Sequence, residues 1–319
     1  MIAMHPHQES VDKCNFCGSG SFRVMHHFEK DFYPHAAYVT FPWDGNHSAE
    51  LTIVQCSGCG LVYQNPRFKA DHLGEVYTVM DAKPIDLNKA VAQHKFKPLL
   101  DLIRKNAPHA DGSSPVSLDI GTRYGLLPEV LRREGFNAFG IEFNASCVEA
   151  AKVSGFKNVF QGTIESLPEW MTQQKLRRIE LITMTDVIEH LLDPMADLNL
   201  LAKYQEKGDH MVIQTIDVSS WGHRLFGKWW YHFHAQHTYY FDIPMLRKYY
   251  DSVGYDVVDV LKVKPLNNLT LLPGVWKAAL RHKSKRRDAQ QGKIPAEKIW
   301  YAADKPTLFD IITIVARKR

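Results

Sequence analysis

Two Cys-x-x-Cys-Gly knuckles, Cys14-Asn-Phe-Cys17-Gly18 and Cys56-Ser-Gly-Cys59-Gly60, constrain what this chain can fold into more than any other feature. Each knuckle turns tightly enough to set two thiolates on one side, and the glycine after it lets the backbone wrap closely. Two such pairs supply four soft ligands for one tetrahedral ion, the ligand set of a closed structural zinc site with no position left for water. The predicted metal ligands are Cys14, Cys17, Cys56 and Cys59. Their predicted role is folding rather than chemistry, because so small a segment buries too little surface to hold itself together. His26, His27, His35 and His47 fall between the knuckles; with four thiolates available they read as surface or pocket residues. Cys147 stands alone and reads as packing.

After about residue 70 the chain changes character. Apolar residues at helical spacing over 71–80 and 86–106, among them Val91, Phe96, Leu99, Leu100, Leu102 and Ile103, predict helices. The stretch 108–115, with its Gly and Ser, predicts a break. From Val116 onward strands predicted at 116–120, 138–142, 158–161, 180–185 and 210–215 alternate with helices at 126–134, 145–154 and 194–206. A further helix at 244–253 precedes strands at 256–263 and 308–316. Such alternation implies parallel strands with crossover helices, an α/β sheet. The organisation predicted is a zinc-binding module over 1–70, a helical connector over 71–114 and an α/β domain over 115–319 with a basic insertion at about 266–305.

The segment Val116-Ser-Leu-Asp119-Ile-Gly121-Thr122-Arg123-Tyr124-Gly125 runs from a buried strand through an acidic residue into a glycine-containing turn and a helix. A turn of this kind at the carboxyl end of a first strand lets backbone approach a nucleoside ligand at the topological switch point. The second strand ends in Glu142, where a carboxylate can accept both hydroxyls of a ribose. A nicotinamide cofactor fits less well, since the turn lacks the Gly-x-Gly-x-x-Gly pattern that a pyrophosphate needs. A third strand delivers Asp186, Glu189 and His190 to the same sheet edge.

The run from 116 to about 218 resembles class I S-adenosylmethionine-dependent methyltransferases, particularly a subgroup with an acidic-His-Leu-x-Asp-Pro sequence after the fourth strand, here Glu189-His190-Leu191-Leu192-Asp193-Pro194. Many members also carry an N-terminal four-cysteine module whose second knuckle is followed by Gly-Leu-Val-Tyr and Asn-Pro, as Gly60 to Tyr63, Asn65 and Pro66 are here. The resemblance extends through Gln236-His237 to Phe241. It implies a Rossmann-like class I sheet, mostly parallel with an antiparallel last strand and helices on both faces, and S-adenosylmethionine as cofactor. By the same resemblance Asp119 and Gly121, with Thr122 and Gly125 in their turn, line the methionine part. Glu142 holds the ribose, Gly162, Thr163 and Ile164 flank the adenine, and Asp186 sits under the sulfonium. One departure stands out: the family usually has glycine where this chain has Arg123. That side chain is expected to turn outward or to pair with the cofactor carboxylate; the remaining alternative is a degenerate site.

Methyl transfer needs an aligned acceptor and, for a hydroxyl, a base. Two stretches can supply it: Glu189-His190, and the aromatic run from Trp229 to Tyr240 with His232, His234 and His237. His237 is the first choice, matching the family's recurrent histidine ahead of the late helix; loop-fixing is the competing role for His190. A metal held by His232, His234 and His237 would lack a carboxylate at that spacing. The acceptor expected is a small molecule, sugar or glycan, methylated at oxygen, as in polysaccharide biosynthesis. Alternatives are an RNA methyltransferase using the zinc module and the basic cluster as a clamp, since a net charge of +4 gives no global field toward nucleic acid, and a non-catalytic binding or scaffold protein retaining the fold. The basic cluster 277–287 reads either as a peripheral membrane or phosphate contact or as a solvated loop. No apolar run reaches the roughly 20 residues of a membrane span, and a cytoplasmic location, with a peripheral membrane contact left open, is expected. Oligomeric state is not encoded in any of these features.

Overall fold

The computed structural model describes residues 6–28, 50–71, 73, 82–92, 96–107, 113–230, 232–262 and 310–319. His35, His47, most of the predicted helix 71–80 and the basic stretch 277–287 lie outside the described residues.

The N-terminal segment forms β1 (Gln8–Glu9), β2 (Phe22–Phe28), β3 (Leu51–Cys56), β4 (Val62–Gln64) and β5 (Arg67–Phe68), followed by α1 (Leu87–Ala92) and α2 (Lys97–Asn106). The α/β region then runs β6 (Val116–Ile120), α3 (Leu126–Arg133), β7 (Asn137–Glu142), α4 (Ala145–Val153), β8 (Val159–Gln161), α5 (Leu167–Gln173), β9 (Leu181–Thr185), α6 (Pro194–Ala202) and β10 (His210–Ile216). It ends with α7 (Trp221–Phe226), β11 (Tyr239–Tyr240), α8 (Ile243–Ser252), β12 (Tyr255–Lys262) and β13 (Ile311–Lys318).

Seven strands form one sheet in the order β12-β13-β10-β9-β6-β7-β8. β8, β7, β6, β9 and β10 are parallel, and β13 runs antiparallel to both of its neighbours. This is the mostly parallel Rossmann-like sheet that the resemblance implies. From β6 the chain moves outward to β7 and β8, then returns past β6 to β9 and β10. The strand order therefore reverses between β6 and β9, and the crevice at the carboxyl ends of those two strands is the place where an α/β sheet binds ligands.

Period-two alternation along the strands feeds two cores. Ile182, Met184, Met211, Ile213, Ile312 and Ile314 face one side, against Trp170 of α5, Leu198 and Leu201 of α6 and Leu246 and Tyr249 of α8. Leu181, Val212 and Val315 face the other, against Leu99 and Ile103 of α2, Leu127 and Leu131 of α3 and Val148 of α4. A second sheet, β11-β4-β3-β2, is antiparallel and draws β11 from the α/β region onto β4 of the N-terminal module, pairing Tyr239 with Tyr63 and Tyr240 with Val62. Among the described residues no helix is long and apolar enough to cross a membrane.

Candidate active site

The four knuckle thiols converge. Gly18 N–H donates to Cys14 O at 2.9 Å and Gly60 N–H to Cys56 O at 3.0 Å, closing the two turns. Cys14 Sγ then lies 3.6 Å from Cys59 Sγ, Cys17 Sγ lies 3.5 Å from Cys56 Sγ, and all four sulfurs fall within 4.8 Å of one another. A zinc tetrahedron with Zn–S near 2.3 Å has sulfur edges of about 3.8 Å, so the donor set and spacing fit. Cys147 is buried on α4, apart from this group.

At the switch point, Asp119 ends β6 almost fully buried and accepts a hydrogen bond from Thr183 Oγ1 at 2.7 Å. Burial pushes its carboxyl up to about 7. Thr122 is buried in the turn behind it. Gly121 and Gly125 are required twice over: each has a positive φ, of 71° and 74°, and a Cβ there would come within 2.5 Å of Val187 Cγ2 and 2.4 Å of the Phe156 ring respectively. Arg123 also has a positive φ, of 53°. Its backbone keeps the left-handed shape for which glycine is the usual choice, while the side chain is exposed, with its guanidinium carbon 5.2 Å from the Tyr124 ring centroid. The side chain also reaches the Cys147 thiol on α4.

The same peptide fixes Glu142. Arg123 N–H donates to Glu142 Oε2 at 2.7 Å and Asn144 N–H to Glu142 Oε1 at 2.9 Å, so the carboxylate at the end of β7 is held by two backbone donors. Gly162 N–H reaches Glu142 O at 3.0 Å, bringing Gly162, Thr163 and Ile164 alongside. Ile164 is buried next to Trp170, whose indole stacks on Phe160 at 4.5 Å. Asp186 directly follows β9 with a φ of 54°, its N–H bonded to Gln214 O at 2.9 Å. Strain of this kind outside glycine is retained where surrounding contacts over-determine it, and it clusters at functional sites.

Beyond Asp186 a short turn carries Glu189 and His190 against the segment before β11. His190 Nδ1 faces Gln236 O at 2.8 Å and His237 Nδ1 faces His232 O at 2.9 Å. A carbonyl can only accept, so both Nδ1 atoms carry the proton and both Nε2 atoms the lone pair. The two rings meet edge to face at 4.7 Å, and Glu189, His190 and His237 each offer a ligand atom within 4.8 Å of the others'. Glu189 accepts from Thr215 Oγ1 at 2.7 Å; burial, then the charge of Asp186, raises its carboxyl above the usual range. Burial lowers His190 to about 4 and holds His237 well below its ordinary value, where His234, His190 and His232 add to the effect. Both imidazoles are uncharged at neutral pH. The three candidate catalytic residues are thus brought together, and Glu189 supplies the carboxylate that the histidine run lacks; these three, rather than His232, His234 and His237, are the set that could hold a cation.

Two contributors escaped the sequence reading. Thr215 orients Glu189. Gln64, between the quoted Tyr63 and Asn65, donates through Nε2 to His234 O at 2.7 Å and to His237 O at 2.5 Å. His26 of β2, expected as a surface or pocket residue, meets His223 of α7, Nε2 to Nε2, at 3.3 Å beside Phe233.

A family model described as a methyltransferase domain matches residues 91–260. The chain belongs to the methyltransferase-domain family. Ubiquinone biosynthesis O-methyltransferase of Cupriavidus pinatubonensis is 26% identical to this methyltransferase-family chain over 148 residues, 43% of this chain and 59% of that protein. The Erwinia tasmaniensis protein of the same name is 28% identical over 134 residues, 40% and 52% respectively. The match thus spans between about half and three fifths of these relatives' length. Among solved structures, magnesium protoporphyrin IX methyltransferase of Synechocystis with bound S-adenosylhomocysteine has a TM-score of 0.46 at 11% identity, covering 79% of this chain and 95% of that one. An S-adenosylmethionine-dependent methyltransferase from Mesorhizobium loti also scores 0.46, at 10% identity, covering 72% and 100%.

Proposed function

We propose that the protein is an S-adenosylmethionine-dependent O-methyltransferase acting on a hydroxyl of a small molecule, sugar or glycan, with zinc in the four-cysteine site as a structural ion. The observation that supports this reading is that β7, β6 and β9 are parallel neighbours, so Glu142, the Asp119–Gly125 turn and the segment from Asp186 into Glu189 and His190 share one edge of the sheet. When bound, S-adenosylmethionine supplies a sulfonium methyl for in-line displacement, the C–S electron pair leaving on sulfur. Glu142, oriented by two backbone amides, would accept the ribose hydroxyls. The glycine turn allows backbone approach to the methionine part, beside Asp119. Ile164 and the stack of Phe160 on Trp170, with Gly162 and Thr163, would hold the adenine, and Asp186 would hold the sulfonium part. Cys14, Cys17, Cys56 and Cys59 hold the zinc.

On the acceptor side, His237 Nε2 takes the hydroxyl proton, with His190 and Glu189 fixing the acceptor's oxygen nearby. Keeping the imidazole neutral makes the lone pair available without prior deprotonation. The relatives named as O-methyltransferases support oxygen as the acceptor atom. The test is transfer of labelled methyl from S-adenosylmethionine to a panel of phenols, nucleotide sugars and oligosaccharides, with transfer RNA as a separate arm. Label is expected in a hydroxylated small molecule or glycan. Label in RNA alone would replace the reading with nucleic-acid methylation, and none in any arm would favour a binding protein. His237→Ala should lower kcat about 100-fold or more, with cofactor Kd nearly unchanged.

A further inference from the structure

We infer that Gln64, carried by the four-cysteine module, is a positioning residue for His237, so that the module frames the acceptor side of the active site as well as folding the N-terminus. The inference rests on the proposed role of His237 only for its catalytic meaning, since the placement itself is geometric.

Gln64 is the last residue of β4 and fully buried. Its backbone N–H donates to Thr238 O at 2.9 Å, on the residue that follows His237. Its side-chain amide faces two carbonyls, His234 O at 2.7 Å and His237 O at 2.5 Å, which fixes the nitrogen as the end that points there. His234 O also accepts from His237 N–H at 3.1 Å, so one buried amide pins the first and last carbonyls of the turn that presents the imidazole. Thr238 N–H in turn donates to Glu189 O at 2.7 Å, tying this turn to the other half of the cluster.

The base of this strut is the second knuckle. Cys56 N–H donates to Leu61 O at 2.8 Å, locking the loop between Cys56 and β4, and β4 lies between β3 and β11 in the sheet. The first knuckle is bolted down independently. Asn15 Nδ2 donates to Asp193 Oδ1 at 2.7 Å, Tyr249 O–H donates to Asn15 Oδ1 at 3.1 Å, and Phe16 packs on the Tyr249 ring at 5.0 Å. Arg67 of β5 donates to Leu192 O at 2.6 Å, two residues after His190. The module therefore reaches both segments that carry the cluster, and its shortest path to His237 runs through one side chain.

Gln64→Glu preserves shape but turns two donors into acceptors facing two carbonyl oxygens. The experiment is long-range proton–nitrogen NMR of the metal-loaded full chain with 15N-labelled histidine, recorded for the parent and for Gln64→Glu, with Gln64→Met as the uncharged counterpart. In the parent, His237 should show a single Nδ1–H tautomer. In either variant the tautomer ratio should fall at least about fivefold, the equivalent of one lost hydrogen bond. His223, whose Nδ1 is held by Val218 O at 2.6 Å on α7, should keep its pattern, and affinity for S-adenosylhomocysteine should change less than about twofold. An unchanged His237 pattern in a folded variant overturns the inference, as does an equal change at His223, which would mark general loosening. If His237→Ala retains full turnover while Gln64→Glu still shifts the His237 tautomer, the base assignment fails and the positioning stands.

Discussion

At the scale of single residues, the site is built from groups held in states they would not choose in water. Asp119 is the clearest case. Its folded carboxyl sits at about 7, above its unfolded value, because burial penalises the charge. The folded state therefore holds a proton that the unfolded chain gives up. The stability that goes with it is complete below about pH 4 and is lost as pH rises through about 7. Unliganded Asp119→Asn should be more stable than the parent at about pH 8, by on the order of 1–3 kcal/mol, with the gap closing near pH 4; paired denaturant titrations at the two pH values measure it. A gap that is the same at both pH values would show that Asp119 is not the group titrating. Arg123 contacts Glu142 through its backbone N–H. Arg123→Gly should accordingly leave S-adenosylhomocysteine affinity within about threefold, whereas Glu142→Gln, which removes an anionic acceptor, should cost about tenfold or more by calorimetry.

At the scale of elements, the helix that follows Glu142 starts where its cap dictates. Asn144 Oδ1 accepts from Ser146 N at 2.8 Å and from Cys147 N at 3.2 Å, so Asn144→Ala should cost about 1 kcal/mol in thermal or chemical unfolding. Elements with their own local signal were legible in the sequence. The strand expected at 116–120 is β6 residue for residue, and those expected at 138–142 and 180–185 differ from β7 and β9 by one residue at the start. The helix expected over 194–206 stops at Ala202, because Gln205 turns inward to bond Ile179 O and His210 O and starts the approach to β10. Of the helical stretch expected over 86–106, α1 and α2 cover 87–92 and 97–106. Short elements were not legible. α7 spans six residues, too few to show a helical period, and is set by Ser220 Oγ accepting from His223 N at 3.1 Å. β11 has two residues and exists because β4, far back in the chain, pairs with it. The same holds for the site. Asp119, Gly121 and Glu142 could be read from local strand ends, and the family resemblance singled out His237. The meeting of Glu189 and His190 with His237, and the part played in it by Gln64, are tertiary facts that no local pattern encodes.

At the scale of the whole molecule, the four-cysteine module and the methyltransferase region share a sheet and a core. Cys14, Cys56, Leu61 and Tyr63 are buried in the same core as Ile182, Ile213 and Tyr249. Stripping metal with a chelator should therefore lower the melting temperature in one cooperative transition that near-ultraviolet and far-ultraviolet signals follow together. Two separate transitions would show that the module unfolds on its own. The central claim is that the switch point between β6 and β9 binds S-adenosylmethionine through Asp119, the Gly121–Gly125 turn and Glu142. The most direct measurement is isothermal titration of S-adenosylhomocysteine into the metal-replete full chain and into Glu142→Ala. The account predicts saturable one-to-one binding to the parent and at least tenfold weaker binding to the variant; a folded, metal-replete parent that binds none, or a variant that binds equally well, would contradict it.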